Sequence, residues 1–459
     1  MDALTLARAA LERARGRRAE VLGVDVSPEA LRAHLARYDF ARPVPLDALL
    51  ADVEDLLARW TEHASHPLHV GLFRPAPDPL CVVADALAAE HDPNLATWDF
   101  APAANEIERL TLEALATRFG LPAGEGLHHF TSGGQEANHT AVIVALTHTF
   151  PDVADRGLRA LPAQPVLYLS VDGHASFDKV AHATGLGREA IRRVPTDGAL
   201  RMDLGALARL VDADRRAGLA PFMVVGTAGT TGPGAIDDLA ALAALSRAER
   251  LWFHVDAAWG GAAALSDRLR PHLAGIERAD SITCDAHKWL SVTAGAGMIF
   301  VRHRAPVERA FAVQTAYVPA QSGGRVYPFV TSLQWSRRFI GLKVFLVLAA
   351  HGLDGVARRL EHQVAVADRL RAVLRERGFT IHNHTPLPLV CFSHPRLADV
   401  AAHDAVARRL RLAQRAWLSR VLLGGARPAL RACVTSYETE AEDMDALVCA
   451  VEEAISGPR

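Results

Sequence analysis

A chain of 459 residues, 50% hydrophobic and 22% charged, can bury sizeable cores, which excludes a disordered or fibrous protein. Its formal net charge of −2 offers no field for nucleic acid or an anionic membrane, and five scattered cysteines without CxxC spacing point to a reducing cytoplasm. Among 50 cationic residues only Lys179, Lys288 and Lys343 are lysines, so any chemistry that needs a nucleophilic amine has three addresses.

The first 60 residues read as helices. Leu4, Ala7 and Leu11 share a face, and Ser27-Pro28-Glu29 is a cap followed by Pro in the first turn. The Arg-rich start (Met1 to Arg18) lacks the apolar centre of a signal peptide. Residues 1–75 are expected to form an N-terminal helical segment that packs across a two-fold interface. From Phe130 to Val301 short apolar runs alternate with Ala- and Leu-rich helical stretches. The runs are Val166–Ser170, Phe222–Gly226, Trp252–Asp256, Ser281–Cys284 and Met298–Val301. Such alternation predicts an α/β domain with a mostly parallel sheet over 76–340, whose ligands gather beyond the carboxyl ends of strands. A long helix is expected from Ile340 to about Arg377. The run Leu387–Phe392, a helix near Ala401–Arg420, the run Leu430–Thr435 and a closing helix from Glu442 then make 341–459 a small α+β domain. No apolar stretch approaches the ~20 residues of a membrane span.

Chemistry-bearing residues collect where the runs end. Trp252–Gly261 delivers Asp256 at a strand end, followed by small residues that leave room for a flat group. That carboxylate could bind a metal, cap a helix or hold a protonated ring nitrogen. Thirty-two positions on, Lys288 follows His287 just past another strand, whereas Lys179 and Lys343 lie in helical stretches. Phe130–Asn138 is a Gly- and hydroxyl-rich turn opening a helix, an anion site suited to phosphate without being a Walker A loop. His174 follows the strand Val166–Ser170 and could act as acid or base, metal ligand or stacking partner. Thr231 and, six residues later, Asp237 follow the strand that ends at Gly226.

A phosphate cradle, a stacking His, an Asp and a Lys, in that order, amount to a pyridoxal phosphate site. The motifs T-S-G-G-x-E-A-N, H-V-D-A-A and H-K-W resemble the group II amino-acid decarboxylases of fold type I. These include aromatic-amino-acid, glutamate and diaminobutyrate decarboxylases. The resemblance runs from about His66-Pro67 to the C-terminus. It implies an aspartate aminotransferase-like large domain, a homodimer with active sites at the interface, and pyridoxal 5'-phosphate as cofactor. It further implies that Lys288 forms the internal aldimine with His287 beside it. Asp256 would pair with the pyridine nitrogen, and Ala258 and His174 would flank the ring. Ser132, Gly133, Gly134 and Gln135 would receive the phosphate, and Thr231 and Asp237 match polar residues around the cofactor. Tyr317, 29 positions beyond Lys288, corresponds to a mobile-loop tyrosine that protonates Cα after CO2 leaves, and Gly323-Gly324 suits a moving lid. Relatives with Phe there resemble aldehyde synthases. Arg337 matches a stretch leading into the joining helix and is read as structural. Arg431 matches a small-domain arginine that lies near substrate or the closing loop, or in a buried salt bridge.

The substrate pocket departs from the aromatic pattern. In His66–Pro75 only Phe73 keeps a ring, and Ala96 stands where an aromatic wall would place Phe. Lost stacking is worth ~0.5–1.5 kcal/mol per pair. Arg74 and Asn94 are the candidates to receive an acidic or polar side chain. The sequence thus predicts a pyridoxal phosphate-dependent L-amino-acid decarboxylase, a carboxy-lyase yielding CO2 and a primary amine. An aldehyde synthase, carbon–carbon lyase or aminotransferase of the same fold type is the alternative, and a non-enzymatic scaffold a third. A metal site is not expected, since the 21 histidines show no HExxH spacing.

Overall fold

A computed structural model describes residues 3–16, 20–313, 325 and 327–457. Three helices open the chain, α1 (Ala3–Gly16), α2 (Pro28–Leu35) and α3 (Leu46–Trp60), with α1 packed on α3. Ser27 caps α2 as expected, its Oγ accepting from Ala30 N at 3.1 Å. Two further helices, α4 (Leu80–His91) and α5 (Pro102–Arg118), lead into the large domain.

Its sheet contains β1 (Leu127–Thr131), β2 (Pro165–Ser170), β3 (Ile191–Val194), β4 (Ala220–Thr227), β5 (Trp252–Asp256), β6 (Ser281–Asp285) and β7 (Gly297–Val301). The spatial order is β1-β7-β6-β5-β4-β2-β3. Neighbours from β3 to β6 are parallel, and β7 runs antiparallel to both β6 and β1. Val166 and Tyr168 face one core while Leu167 and Leu169 face another, so burial on both faces explains why these runs are continuously apolar. All five runs read from the sequence are strands. The sequence reading missed β1, which carries two histidines, and β3, an edge strand whose Arg192 and Arg193 are half-buried. The parallel strands put their carboxyl ends on one side, where α6 (Gly134–Thr149) also begins.

The long helix spans Gly341–Glu376 but is broken at Gly352, whose φ of 65° and ψ of 166° are not helical. Before the break Leu342 packs with Ala84, Ala88 and Ala104; after it Val366, Leu370 and Leu374 join the core of the small domain. Val356, Leu360 and Val364, just beyond the break, still pack in the core of the large domain. The small domain's sheet is β8 (Thr380–Ile381), β9 (Leu389–Ser393), β10 (Ser419–Leu423) and β11 (Arg427–Cys433), antiparallel in the order β10-β11-β9-β8. The helix expected over 401–420 stops at Leu412, and 419–423 is a strand. Gly424 and Gly425, with φ of 56° and 74°, turn the β10–β11 hairpin, which a side chain at either position would oppose. Residues near 70 also join this domain, with Val70 N donating to Trp417 O at 3.1 Å and Cys433 N to Val70 O at 2.6 Å. All five cysteines are free thiols, and no described helix is long and apolar enough to cross a membrane.

Candidate active site

Three of the expected segments converge at the strand ends. Asp256 closes β5 and pairs in register with Thr283 of β6, and the chain leaving β6 turns back at once, Lys288 N donating to Asp285 O at 3.2 Å. Lys288 Nζ thereby reaches Asp285 Oδ2 at 2.9 Å. Burial alone would lower the Lys288 pKa, but the Asp285 and Asp256 carboxylates outweigh it and the net shift is upward. Asp285 is buried, and its Oδ1 has no hydrogen-bond partner among the described residues. His287 Nδ1 accepts from Ala296 N at 3.2 Å, and its Nε2 is 3.9 Å from Asp285 Oδ2. Burial holds the His287 pKa below its ordinary value.

The cradle lies against these groups. A Cβ on Gly134 would stand 2.8 Å from Asp285 Oδ2 and 3.4 Å from Ala258 Cβ, and one on Gly133 would stand 3.5 Å from His287 Cε1. The Gly133, Gly134 and Gln135 N–H groups, at the start of α6, find no acceptor among the described residues. Ser132 is engaged, its N and Oγ both donating to Glu136 Oε2 at 2.8 and 2.7 Å, while Gln334 Nε2 donates to Glu136 Oε1 at 2.7 Å.

Asp256 is buried with both oxygens occupied. Oδ1 accepts from Ala258 N at 3.1 Å and Oδ2 from Asn138 Nδ2 at 3.2 Å. His174 stands exposed nearby, Nδ1 accepting from Ser176 N at 3.1 Å, which leaves Nε2 to present the proton of a neutral ring. The cleft walls desolvate this ring and lower its pKa. Asp256 and Asp285 oppose the shift and the Lys288 charge adds to it.

Phe73, Thr231 and Arg431 form a second group. Phe73 stacks on Trp259, three residues beyond Asp256, at 4.4 Å and 21°. The Arg431 guanidinium lies 5.4 Å from the Phe73 ring and donates to the carbonyls of Thr231 and Gly71, the latter at 2.9 Å. Arg431 is thus buried without a carboxylate partner among the described residues.

Other expected residues lie apart from the lysine. Asp237 accepts from Met202 N and Thr227 N at 2.7 and 2.8 Å, tying down the end of β4, and burial pushes its pKa up to about 6. Arg74 is exposed and lines an apolar groove with α1 and α3. Asn94 is exposed, its Oδ1 accepting from Ala96 N at 3.0 Å and Arg337 N at 3.3 Å. Arg337 forms a buried pair with Glu108 at 3.1 Å, in agreement with its structural reading. Lys343 is buried, donating to Thr293 Oγ1 at 2.9 Å with Asp85 at 3.4 Å, and Lys179 is exposed on the helix Ser176–Ala183. Tyr317, Gly323 and Gly324 lie outside the described residues. Sequence reasoning passed over Asp285, although it stands in the motif with Lys288. It also passed over Asn138, one helical turn below Gly134 and on the same face.

Free N–H groups at a helix start suit a phosphate, a buried carboxylate with defined lone pairs suits a ring N–H, and a lysine between them suits an aldehyde. The comparisons agree with that fit. Residues 28–394 match the family described as the pyridoxal-dependent decarboxylase conserved domain, and the chain belongs to that family. Aromatic-L-amino-acid decarboxylase of Bacillus atrophaeus is 31% identical over 350 residues, covering 75% of this chain and 70% of that protein. Acidic amino acid decarboxylase GADL1 of Bos taurus is 29% identical over 422 residues, covering 88% and 80%. The solved structure of mouse CSAD superposes with a TM-score of 0.90 at 26% identity, covering 98% of this chain and 99% of that one. The chain is accordingly a pyridoxal 5'-phosphate-dependent carboxy-lyase acting on amino acids.

Proposed function

We propose that this enzyme decarboxylates an L-amino acid with a polar or acidic side chain, as a homodimer, with Lys288 carrying the cofactor. The observation behind the reading is that Lys288 Nζ, within reach of the Asp256 charge, and the start of α6, whose N–H groups of 133–135 have no acceptor among the described residues, both lie against Asp285. Pyridoxal phosphate, when bound, supplies an electron sink for the pair released as the Cα–carboxylate bond breaks. Asp256 would accept the ring N–H, Ala258 and His174 would flank the ring, and Gly133, Gly134 and Gln135 would donate to the phosphate. Ser132, Thr231 and His287 would border it, and Asp237 would act from behind by holding the end of β4 in place. Asp285 Oδ2, at 2.9 Å, holds a proton on Lys288 Nζ whenever that amine is free. The Tyr317 phenol would deliver a proton to Cα, as the family resemblance implies.

On the substrate side, Phe73, stacked on Trp259, would form the floor, and Arg431 keeps Nε without a partner among the described residues. Arg74, next in the chain to Phe73, offers an exposed guanidinium, and Asn94 retains its amide N–H groups for a polar side chain. Ala96 in place of an aromatic wall supports a non-aromatic substrate. Exposed Leu11, Val53 and Leu57 on the N-terminal helices support a partner subunit.

A panel of amino acids read out by CO2 release, with Lys288→Ala as the blank, tests the reading. Equimolar amine and CO2 from an acidic or polar amino acid is the expected result. Preference for tyrosine or phenylalanine over every polar candidate would overturn the substrate assignment. A keto acid, or an aldehyde with peroxide, would overturn decarboxylation in favour of transamination or aldehyde synthesis.

A further inference from the structure

Behind Asp256 lies a row of buried polar side chains that the reaction itself does not use. Trp252, Ser281, His254, Asn138, Thr283 and Asp256 are each at most 4% exposed. Trp252 Nε1 is 2.8 Å from Ser281 Oγ, which is 2.8 Å from His254 Nδ1. His254 Nε2 is 3.2 Å from Asn138 Oδ1, which also accepts from Thr283 Oγ1 at 2.7 Å. Asn138 Nδ2 then donates to Asp256 Oδ2 at 3.2 Å and to Ser176 Oγ at 3.1 Å.

The two ends fix the direction of every bond. An indole N–H can only donate, and Asp256 accepts at both oxygens, from Asn138 and from Ala258 N. Asn138 must therefore turn its amide nitrogen to the carboxylate and its oxygen to Thr283 and His254. His254 must then carry its proton on Nε2 and accept at Nδ1 from the Ser281 hydroxyl, which itself accepts from Trp252. An imidazolium would leave the Ser281 hydrogen without an acceptor among the described residues, so the row favours the neutral ring. Burial, which pushes the His254 pKa down to about 4, agrees.

We infer that Trp252, Ser281, His254 and Asn138 form a one-way hydrogen-bond row that keeps the Asp256 carboxylate aimed at the cofactor's ring nitrogen. Asn138 and His254 are its positioning residues. The inference rests on the proposal that Asp256 faces that nitrogen. Without Asn138 one carboxylate oxygen loses its donor, and the grip on a protonated ring weakens while the phosphate and lysine contacts stay intact.

The test compares the affinity of the apoprotein for pyridoxal phosphate and for its carbocyclic analogue in which CH replaces the ring nitrogen. Asn138→Ala should lose about 10- to 100-fold in affinity for pyridoxal phosphate, the equivalent of one hydrogen bond to a charged group, and about twofold or less for the analogue. His254→Phe should show a smaller loss of the same selectivity, and His254→Gln, which keeps a donor near the Nε2 position, should recover it. Thr283→Val, a milder change, serves if the others fail to fold. Equal losses for both cofactors, or none for pyridoxal phosphate, would overturn the row as a positioning device. Wild-type protein that binds both cofactors equally would instead overturn the Asp256 assignment beneath it.

Discussion

On one side of the cleft, Asp256, Asp285 and Asn138 are buried on the strands β5 and β6 and the helix α6, and Lys288 follows within three residues of a strand end. The proposed substrate residues sit differently: Phe73 and Arg74 lie on coil between α3 and α4 and Asn94 on coil between α4 and α5, with Arg74 and Asn94 exposed. The first side is held by backbone register and hydrogen bonds; the second depends on a few ring contacts and on loops. A rigid half suits a cofactor that never changes, and a loop-built half lets related enzymes differ in substrate on one scaffold.

The contrast can be broken from its rigid side first. Lys288→Arg keeps a cation beside Asp285 but removes the only lysine amine at the strand ends. Turnover should fall by at least ~1000-fold, and the absorbance near ~420 nm that borohydride bleaches should vanish, with no loss of thermal stability. Turnover at the wild-type rate would mean that the cofactor is held elsewhere.

A second change probes the support beneath the cradle. Arg337 donates to Glu108 and to Phe130 O, just before the cradle turn. Arg337→Met strands a buried carboxylate whose pKa burial already raises, and should cost about 3–5 kcal/mol in urea unfolding. Pairing it with Glu108→Leu should recover much of that loss, whereas an unchanged midpoint in the single variant would show that the pair carries no load.

The loop side should respond least. Phe73→Ala removes one stacked contact with Trp259, worth about 0.5–1.5 kcal/mol, and should raise KM about 2- to 10-fold with kcat little changed. A larger fall in kcat than in affinity would place Phe73 with the rigid half instead.

Much of the rigid half is readable from neighbouring residues. Trp252–Asp256 is found to the residue because a buried parallel strand demands an unbroken apolar run and the Asp ends it. Lys288 stands out as the candidate amine because only three lysines compete and the other two lie in helices. The contact of Asn138 with Asp256 joins positions 118 apart, and that of Arg431 with Gly71 joins positions 360 apart, so neither leaves a local trace. The same limit explains the misread end of the helix at Leu412. Residues 413–420 have no periodicity of their own that separates helix from strand, and β10 exists because β11 pairs with it.

Local chemistry therefore settles the fold class and the strand ends and singles out Lys288 as the proposed amine, because side-chain periodicity and chain punctuation act over a few residues. Folding in three dimensions decides which carboxylate faces Lys288, which amide holds Asp256 and where the long helix breaks at Gly352. Those outcomes depend on sheet register and on the packing of segments remote in sequence, and no stretch of chain encodes them alone.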